Sequence, residues 1–176
     1  MKELVWEILK MYFLKMREPK LSELSIPENI WNEKWSCFVT LYVKWEVRWS
    51  AGNIKEIHTN IAEELLANTI QALTGDKRFS PLTLEESENL QFRIDLISER
   101  KIISEAEMKQ LDPTKSGVIA IKRDYEKLAV VLPNVSPKLL TGSDFISVLL
   151  QKLGEKKFSE KDYILYAIST TVETNY

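Results

Sequence analysis

Hydrophobic residues recur at helical spacing in three segments of the chain. Over residues 2–16, apolar positions repeat every three or four residues with charged residues opposite them, which predicts an amphipathic helix. Asn60 and Glu63 resemble a capping box ahead of a second helix, which Gly75 can end. The same spacing over residues 144–154 predicts a third helix, opened by an aspartate and stopped by a glycine.

Runs of β-branched and aromatic residues predict the strands. The first run covers residues 37–49 and alternates with charged residues from Val43 onward, which indicates either one long strand or a hairpin with a concealed turn. Further strands are predicted over 91–97, 117–122, 127–132 and 163–168.

Two more capping boxes fall between these strands. Thr83 with Glu86 and Ser104 with Glu107 each predict a short helix. Strands and helices mixed in this order, with hairpins and no regular strand–helix–strand repeat, are typical of an α+β fold with a mainly antiparallel sheet and packed helices. At 176 residues we expect a single domain over residues 1–176.

Composition narrows the function classes. The chain is 44% hydrophobic and 28% charged, which is typical of globular proteins. Its formal net charge of −2 argues against a general nucleic-acid binder. No apolar run approaches the roughly 20 residues of a membrane span, and the first residues lack the features of a signal peptide. We therefore expect a cytoplasmic protein without membrane or nucleic-acid partners.

The single cysteine and single histidine limit the possible chemistry. Together they allow neither an internal disulfide nor a Cys/His metal cluster, so we expect no metal and no cofactor. Cys37 begins an apolar strand, where a free thiol behaves as a small hydrophobic residue. Ser50 could act as a nucleophile only beside a base. His58 is the only histidine, and the sequence does not show whether the two meet.

Four short sequence motifs occur in the order in which a known protein family carries similar motifs. They are CFVTL at 37–41, DKRFSPLTLEE at 76–86, LPNV at 132–135 and KLG at 152–154. Together they resemble the AMMECR domain family, with the resemblance strongest over residues 37–154. It implies a larger α/β part with an antiparallel sheet and a smaller part packed on it. It also implies that an RGCIG loop and the RF-x-PLT loop lie near a shared cleft.

The family's RGCIG loop is altered here. Residues 48–52 read Arg48-Trp49-Ser50-Ala51-Gly52, so only the arginine and the last glycine match. The glycine usual in the preceding hairpin turn is Trp45. Because a tryptophan is strained at positive φ, we expect this turn to have a different shape from the family's.

The resemblance implies a set of candidate cleft residues, and no catalytic residue stands out among them. The set is Arg48, Trp49, Ser50, Gly52, Asp76, Arg78 and Glu86. The guanidinium groups of Arg48 and Arg78 suit a carboxylate or phosphate ligand. Alternatively, each arginine pairs with an acidic residue such as Asp76 or Glu86 and holds its loop in place.

Two hypotheses for function remain open. In the first, the chain is a noncatalytic accessory or interaction domain, with a Memo-type or radical-SAM protein as the partner that the resemblance implies. In the second, it binds or converts a small anionic ligand held by Arg48 and Arg78, with Ser50, Asp76 or Glu86 handling protons. Tryptophans 31, 35, 45 and 49 form either a partner surface or part of the core.

Overall fold

The computed structural model describes residues 1–75, 82, 84–87 and 89–176. The chain forms two units. The larger consists of Met1–Leu96 and Thr171–Tyr176, and the smaller of Ile97–Thr170. Each unit has its own hydrophobic core. The larger and smaller parts implied by the family resemblance are therefore present.

The described residues form helices and strands in mixed order, as the sequence predicts for an α+β fold. The helices are α1 (Lys2–Lys15), α2 (Glu28–Trp31), α3 (Ile61–Thr74), α4 (Leu84–Ser87), α5 (Glu105–Met108) and α6 (Asp144–Leu153). The strands are β1 (Cys37–Val43), β2 (Glu46–Gly52), β3 (Leu90–Ile103), β4 (Gly117–Lys122), β5 (Leu128–Val131) and β6 (Tyr163–Thr174). Their hydrogen-bonded order is β2-β1-β3-β6-β4-β5.

Helices α1 and α3 contribute to the core of the larger unit with strands β1, β2 and β3. The predicted α3 cap is present, because the Asn60 side chain accepts a hydrogen bond from the Glu63 backbone N–H at 3.0 Å. The buried face of α1 contains Leu4, Val5, Ile8, Leu9 and Phe13. Both helices therefore form where their apolar spacing predicts them.

Helices α5 and α6 contribute to the core of the smaller unit with strands β4, β5 and β6. The Ser104 and Glu107 capping box is formed in full. Gly154 ends α6 in the left-handed conformation with φ of 67°. Both local signals read from the sequence are confirmed.

The β1–β2 segment is a hairpin rather than one long strand. Its two turn residues, Lys44 and Trp45, have φ values of 51° and 67°. Trp45 therefore adopts a positive φ, the conformation that is strained for a tryptophan. Two consecutive positive φ values match the two-residue turn whose twist fits antiparallel strands, so the hairpin imposes this conformation on Trp45.

No helix in the described ranges is long and apolar enough to cross a membrane.

Candidate functional site

A β-bulge at Arg48 sets the geometry of the 48–52 segment. Leu41 pairs with Trp49 and Tyr42 pairs with Val47, which leaves Arg48 as an extra residue in β2. A bulge reverses the side-chain alternation on either side of it. Trp49 consequently shares the buried face with Leu41, and Val47 lies on the opposite face.

The guanidinium of Arg48 packs within the hairpin region. Its Cζ atom lies 5.5 Å from the centroid of the Trp49 ring, within the range of a cation–π contact. Its Nη2 atom lies 3.7 Å from Oε1 of Glu86 on α4, and both side chains are partly buried. Asp76 and Arg78, the other charged candidates, lie outside the described residues, as does the Thr83 cap residue.

Trp49 is buried in the core of the larger unit. Its exposed fraction is 3%, and it belongs to the same hydrophobic cluster as the buried residues of α1 and α3. The other tryptophans in this part of the sequence differ from it. Trp35 is half-buried, while Trp31 and Trp45 are 43% and 64% exposed. The aromatic cluster read from the sequence is thus divided between core and surface.

Ser50 and His58 do not form a nucleophile–base pair in this structure. The Ser50 Oγ atom lies 3.0 Å from Thr40 Oγ1, its cross-strand partner. Ser50 borders a depression of about 320 Å³ with neighbours that include Gly52 and Gln71. His58 lines a different groove, and its backbone N–H donates to Glu64.

Gly52 is required by a close approach of two strands. A Cβ atom added there would lie 2.4 Å from Cδ1 of Phe38 and 2.5 Å from the carbonyl oxygen of Cys37. Backbone atoms cannot move aside as a flexible side chain can. The match of Gly52 to the family loop therefore has a packing cause in this chain.

Cys37 is fully buried, as expected of a core residue. Burial raises the pKa of its thiol to about 12, although a hydrogen bond from Asn68 Nδ2 at 3.4 Å acts in the opposite direction. The thiol is therefore protonated at neutral pH and is a poor nucleophile.

A buried carboxylate network on α3 escaped the sequence analysis. Glu64 is 1% exposed, and its two oxygens accept from the side chains of Asn53 and Asn68 and from the backbone N–H groups of Ile57 and His58. These bonds fix the segment that leads from β2 to α3. The sequence signal that could have revealed this network is the pair Glu64 and Asn68, two polar residues four positions apart within the apolar stripe of the helix.

No group of three His, Cys, Asp or Glu side chains that could hold a metal ion occurs within the described part of the chain.

An aromatic surface lies at the tip of the hairpin. Trp45 and Tyr176 make an edge-to-face contact with ring centroids 5.0 Å apart. The ring of Tyr42 also contacts that of Tyr176, with centroids 6.4 Å apart. Val47 lies directly across from Tyr42 and so on the same face. Trp45, Val47 and Tyr176 are each more than half exposed. We call these four residues the hairpin patch.

The fold and the hairpin together define an α+β protein with an antiparallel sheet and a bulged hairpin at its edge. The chain belongs to the AMMECR1 family, whose model matches residues 3–171.

Comparison with known proteins agrees with this membership. The chain is 31% identical over 99 residues to a Thermotoga maritima protein, a segment that is 56% of each chain. It is 29% identical to protein CA_C1420 of Clostridium acetobutylicum over 83% of this chain but only 30% of that protein. The segment matched in these two relatives is therefore well short of their full length.

A solved structure shares the fold. The crystal structure of the uncharacterized protein PH0010 from Pyrococcus horikoshii aligns with a TM-score of 0.80 at 21% identity, covering 97% of this chain and 87% of that one.

Proposed function

We propose that the chain is a noncatalytic accessory domain that binds a partner protein through the hairpin patch. The observation that carries the noncatalytic half of this proposal is the packing of the 48–52 segment. Trp49 lies in the core where the family has a glycine, and the Ser50 hydroxyl is hydrogen-bonded to Thr40. Neither arrangement offers an activated nucleophile.

The conformation of Trp45 supports the interaction half of the proposal. A non-glycine residue in the left-handed region costs about 1–2 kcal/mol, and a side chain that is 64% exposed recovers little of it by burial. The turn imposes this conformation on whichever residue stands there, so the presence of an exposed tryptophan instead of a glycine is what points to binding. Tryptophan and tyrosine side chains are also enriched among the residues that contribute most of the binding energy at protein interfaces.

The partner that the family resemblance implies is a Memo-type or radical-SAM protein. Isothermal titration calorimetry with each purified protein tests this. We expect one of them to bind, and Trp45→Gly to weaken that binding by at least about tenfold. Trp31→Ala, which removes an exposed tryptophan outside the patch, is the matched control and should leave affinity unchanged. Absence of binding to both proteins, or equal losses in the two variants, would contradict the proposal.

A second candidate function is binding of a small anion beside Arg48. The depression bordered by Ser50, Gly52 and Gln71 favours it, since about 320 Å³ can hold a small metabolite. Arg48 is not in the described lining of this depression, but its guanidinium contacts the ring of Trp49, which is. Thermal unfolding in the presence of pyrophosphate or citrate tests this candidate. Stabilisation that disappears in Arg48→Gln would support it, and an unchanged melting temperature would count against it.

A further inference from the structure

A groove runs along the solvent side of α3. Its described lining includes neither the hairpin patch nor the 48–52 segment, although Gln71 borders both this groove and the depression beside Ser50. It has a volume of about 600 Å³ and lies between the helix and the chain around Glu18 and Leu21, with His58 also in its lining. We call it the α3 groove. Its volume falls within the usual range of small-molecule sites.

The side chains of α3 give the groove an apolar wall. Leu66 and Ile70 lie four residues apart on one side of the helix and are only partly buried. Ile61, Leu65 and Leu73 point into the core. Leu66 and Ile70 also pack against the edge of that core, and the part of each side chain that lines the groove is available to a ligand with an apolar body.

The charges in the groove have one sign. Its lining, as far as the described residues supply it, contains the carboxylates of Glu18 and Glu63 and neither lysine nor arginine. The neighbouring Arg17 is turned toward Glu23, where its Nη2 lies 2.6 Å from Oε1. The two carboxylates are therefore left without a cation in the groove itself.

Part of the hydrogen-bonding capacity of the groove lining is unused within the described residues. One oxygen of Glu63 accepts from the Thr59 backbone N–H at 2.9 Å, which leaves the other available. Within the described part of the chain, the Glu18 carboxylate and the His58 ring have no hydrogen-bond partner. Acceptors next to an apolar stripe, without a basic residue, complement a molecule with an apolar body and a protonated amine.

We propose that the α3 groove binds a small organic amine, with its apolar body on Leu66 and Ile70 and its ammonium group between Glu18 and Glu63. This site is independent of the partner surface proposed above. The ammonium donates hydrogen bonds to the two carboxylates, and the imidazole of His58 provides a further polar contact.

Amide chemical-shift mapping by NMR with phenethylamine as the probe tests the proposal. Phenethyl alcohol and phenylpropionate are matched neutral and anionic controls of similar size. We expect phenethylamine to shift the amides of α3 from Glu63 to Thr74 and that of His58, and the alcohol and the acid to bind at least about fivefold more weakly. Equal binding of all three compounds, or shifts elsewhere in the chain, would overturn the proposal.

Two variants, with one control, test separately whether binding depends on the carboxylate charge and on the open groove. Glu18→Gln should weaken phenethylamine binding about two- to fivefold, the range of a partly exposed ion pair. Glu28→Gln, which alters an exposed carboxylate on α2, should leave it unchanged. Ala67→Trp should block the groove while the thermal unfolding transition remains cooperative. Retention of full affinity in either Glu18→Gln or folded Ala67→Trp would overturn the site.

Discussion

The guanidinium of Arg48 lies over the ring of Trp49, with 5.5 Å between Cζ and the ring centroid. Adjacent residues in a regular strand point to opposite faces of the sheet, so such contact requires an irregularity. The bulge in β2 supplies it. The same bulge directs Trp49 into the core and leaves Val47 on the surface. One extra residue in β2 therefore places Trp49 in the hydrophobic core and Val47 in the exposed hairpin patch.

Replacing Trp49 tests whether the indole is a structural element. Trp49→Gly should lower the free energy of unfolding by about 3–5 kcal/mol, because a large buried side chain leaves a cavity. Trp31→Gly, at a tryptophan that is 43% exposed, should cost distinctly less. Urea unfolding measures both. A Trp49→Gly variant as stable as the Trp31→Gly control would show that the indole is not packed as described.

The buried carboxylate of Glu64 should be one of the most sensitive polar positions in the larger unit. In Glu64→Gln an amide group replaces one acceptor oxygen, so donors that Glu64 now satisfies lose their partner in the interior. Each such loss costs about 1–3 kcal/mol. The exposed Glu28→Gln variant should change stability by less than about 0.5 kcal/mol. Similar denaturation midpoints for the two variants would contradict the network.

The thiol of Cys37 should make the protein sensitive to alkali. Its pKa is about 12 in the folded state against an ordinary value of 9.0, so the folded state holds the proton more tightly. The stabilisation is complete below the ordinary value and is lost as pH rises toward the folded value. Between about pH 8 and about pH 10, wild type should lose about 1.4 kcal/mol more unfolding free energy than Cys37→Ala. Equal losses would mean that the folded thiol ionises normally.

Local signals in the sequence predicted the helices well. The cap at Asn60, the box at Ser104 and the stop at Gly154 each depend on a few neighbouring residues, and all three are present in the structure. Two strands are longer than predicted and extend beyond the apolar runs that indicated them. β3 continues through exposed residues to Ile103, and β6 runs to Thr174, because pairing with a neighbouring strand stabilises residues whose own pattern is polar.

The candidate site was less predictable than the helices. The bulge at Arg48 depends on the hydrogen-bond register between two strands, which alternation of residue types does not reveal. The sequence indicated that a positive φ would be strained at Trp45, yet the two-residue turn requires that conformation. The α3 groove was missed because its lining comes from segments far apart in sequence.

Calorimetric titration of the partner protein into two variants distinguishes the hairpin patch from the 48–52 segment as the binding surface. Trp45→Gly should retain stability within about 1 kcal/mol, because relief of the left-handed strain offsets the lost Tyr176 contact. It should nevertheless lose at least about tenfold in affinity. Ser50→Ala, which alters the segment that corresponds to the family's RGCIG loop, should bind within about twofold of wild type. The reverse result, with Ser50→Ala impaired and Trp45→Gly unaffected, would contradict the account.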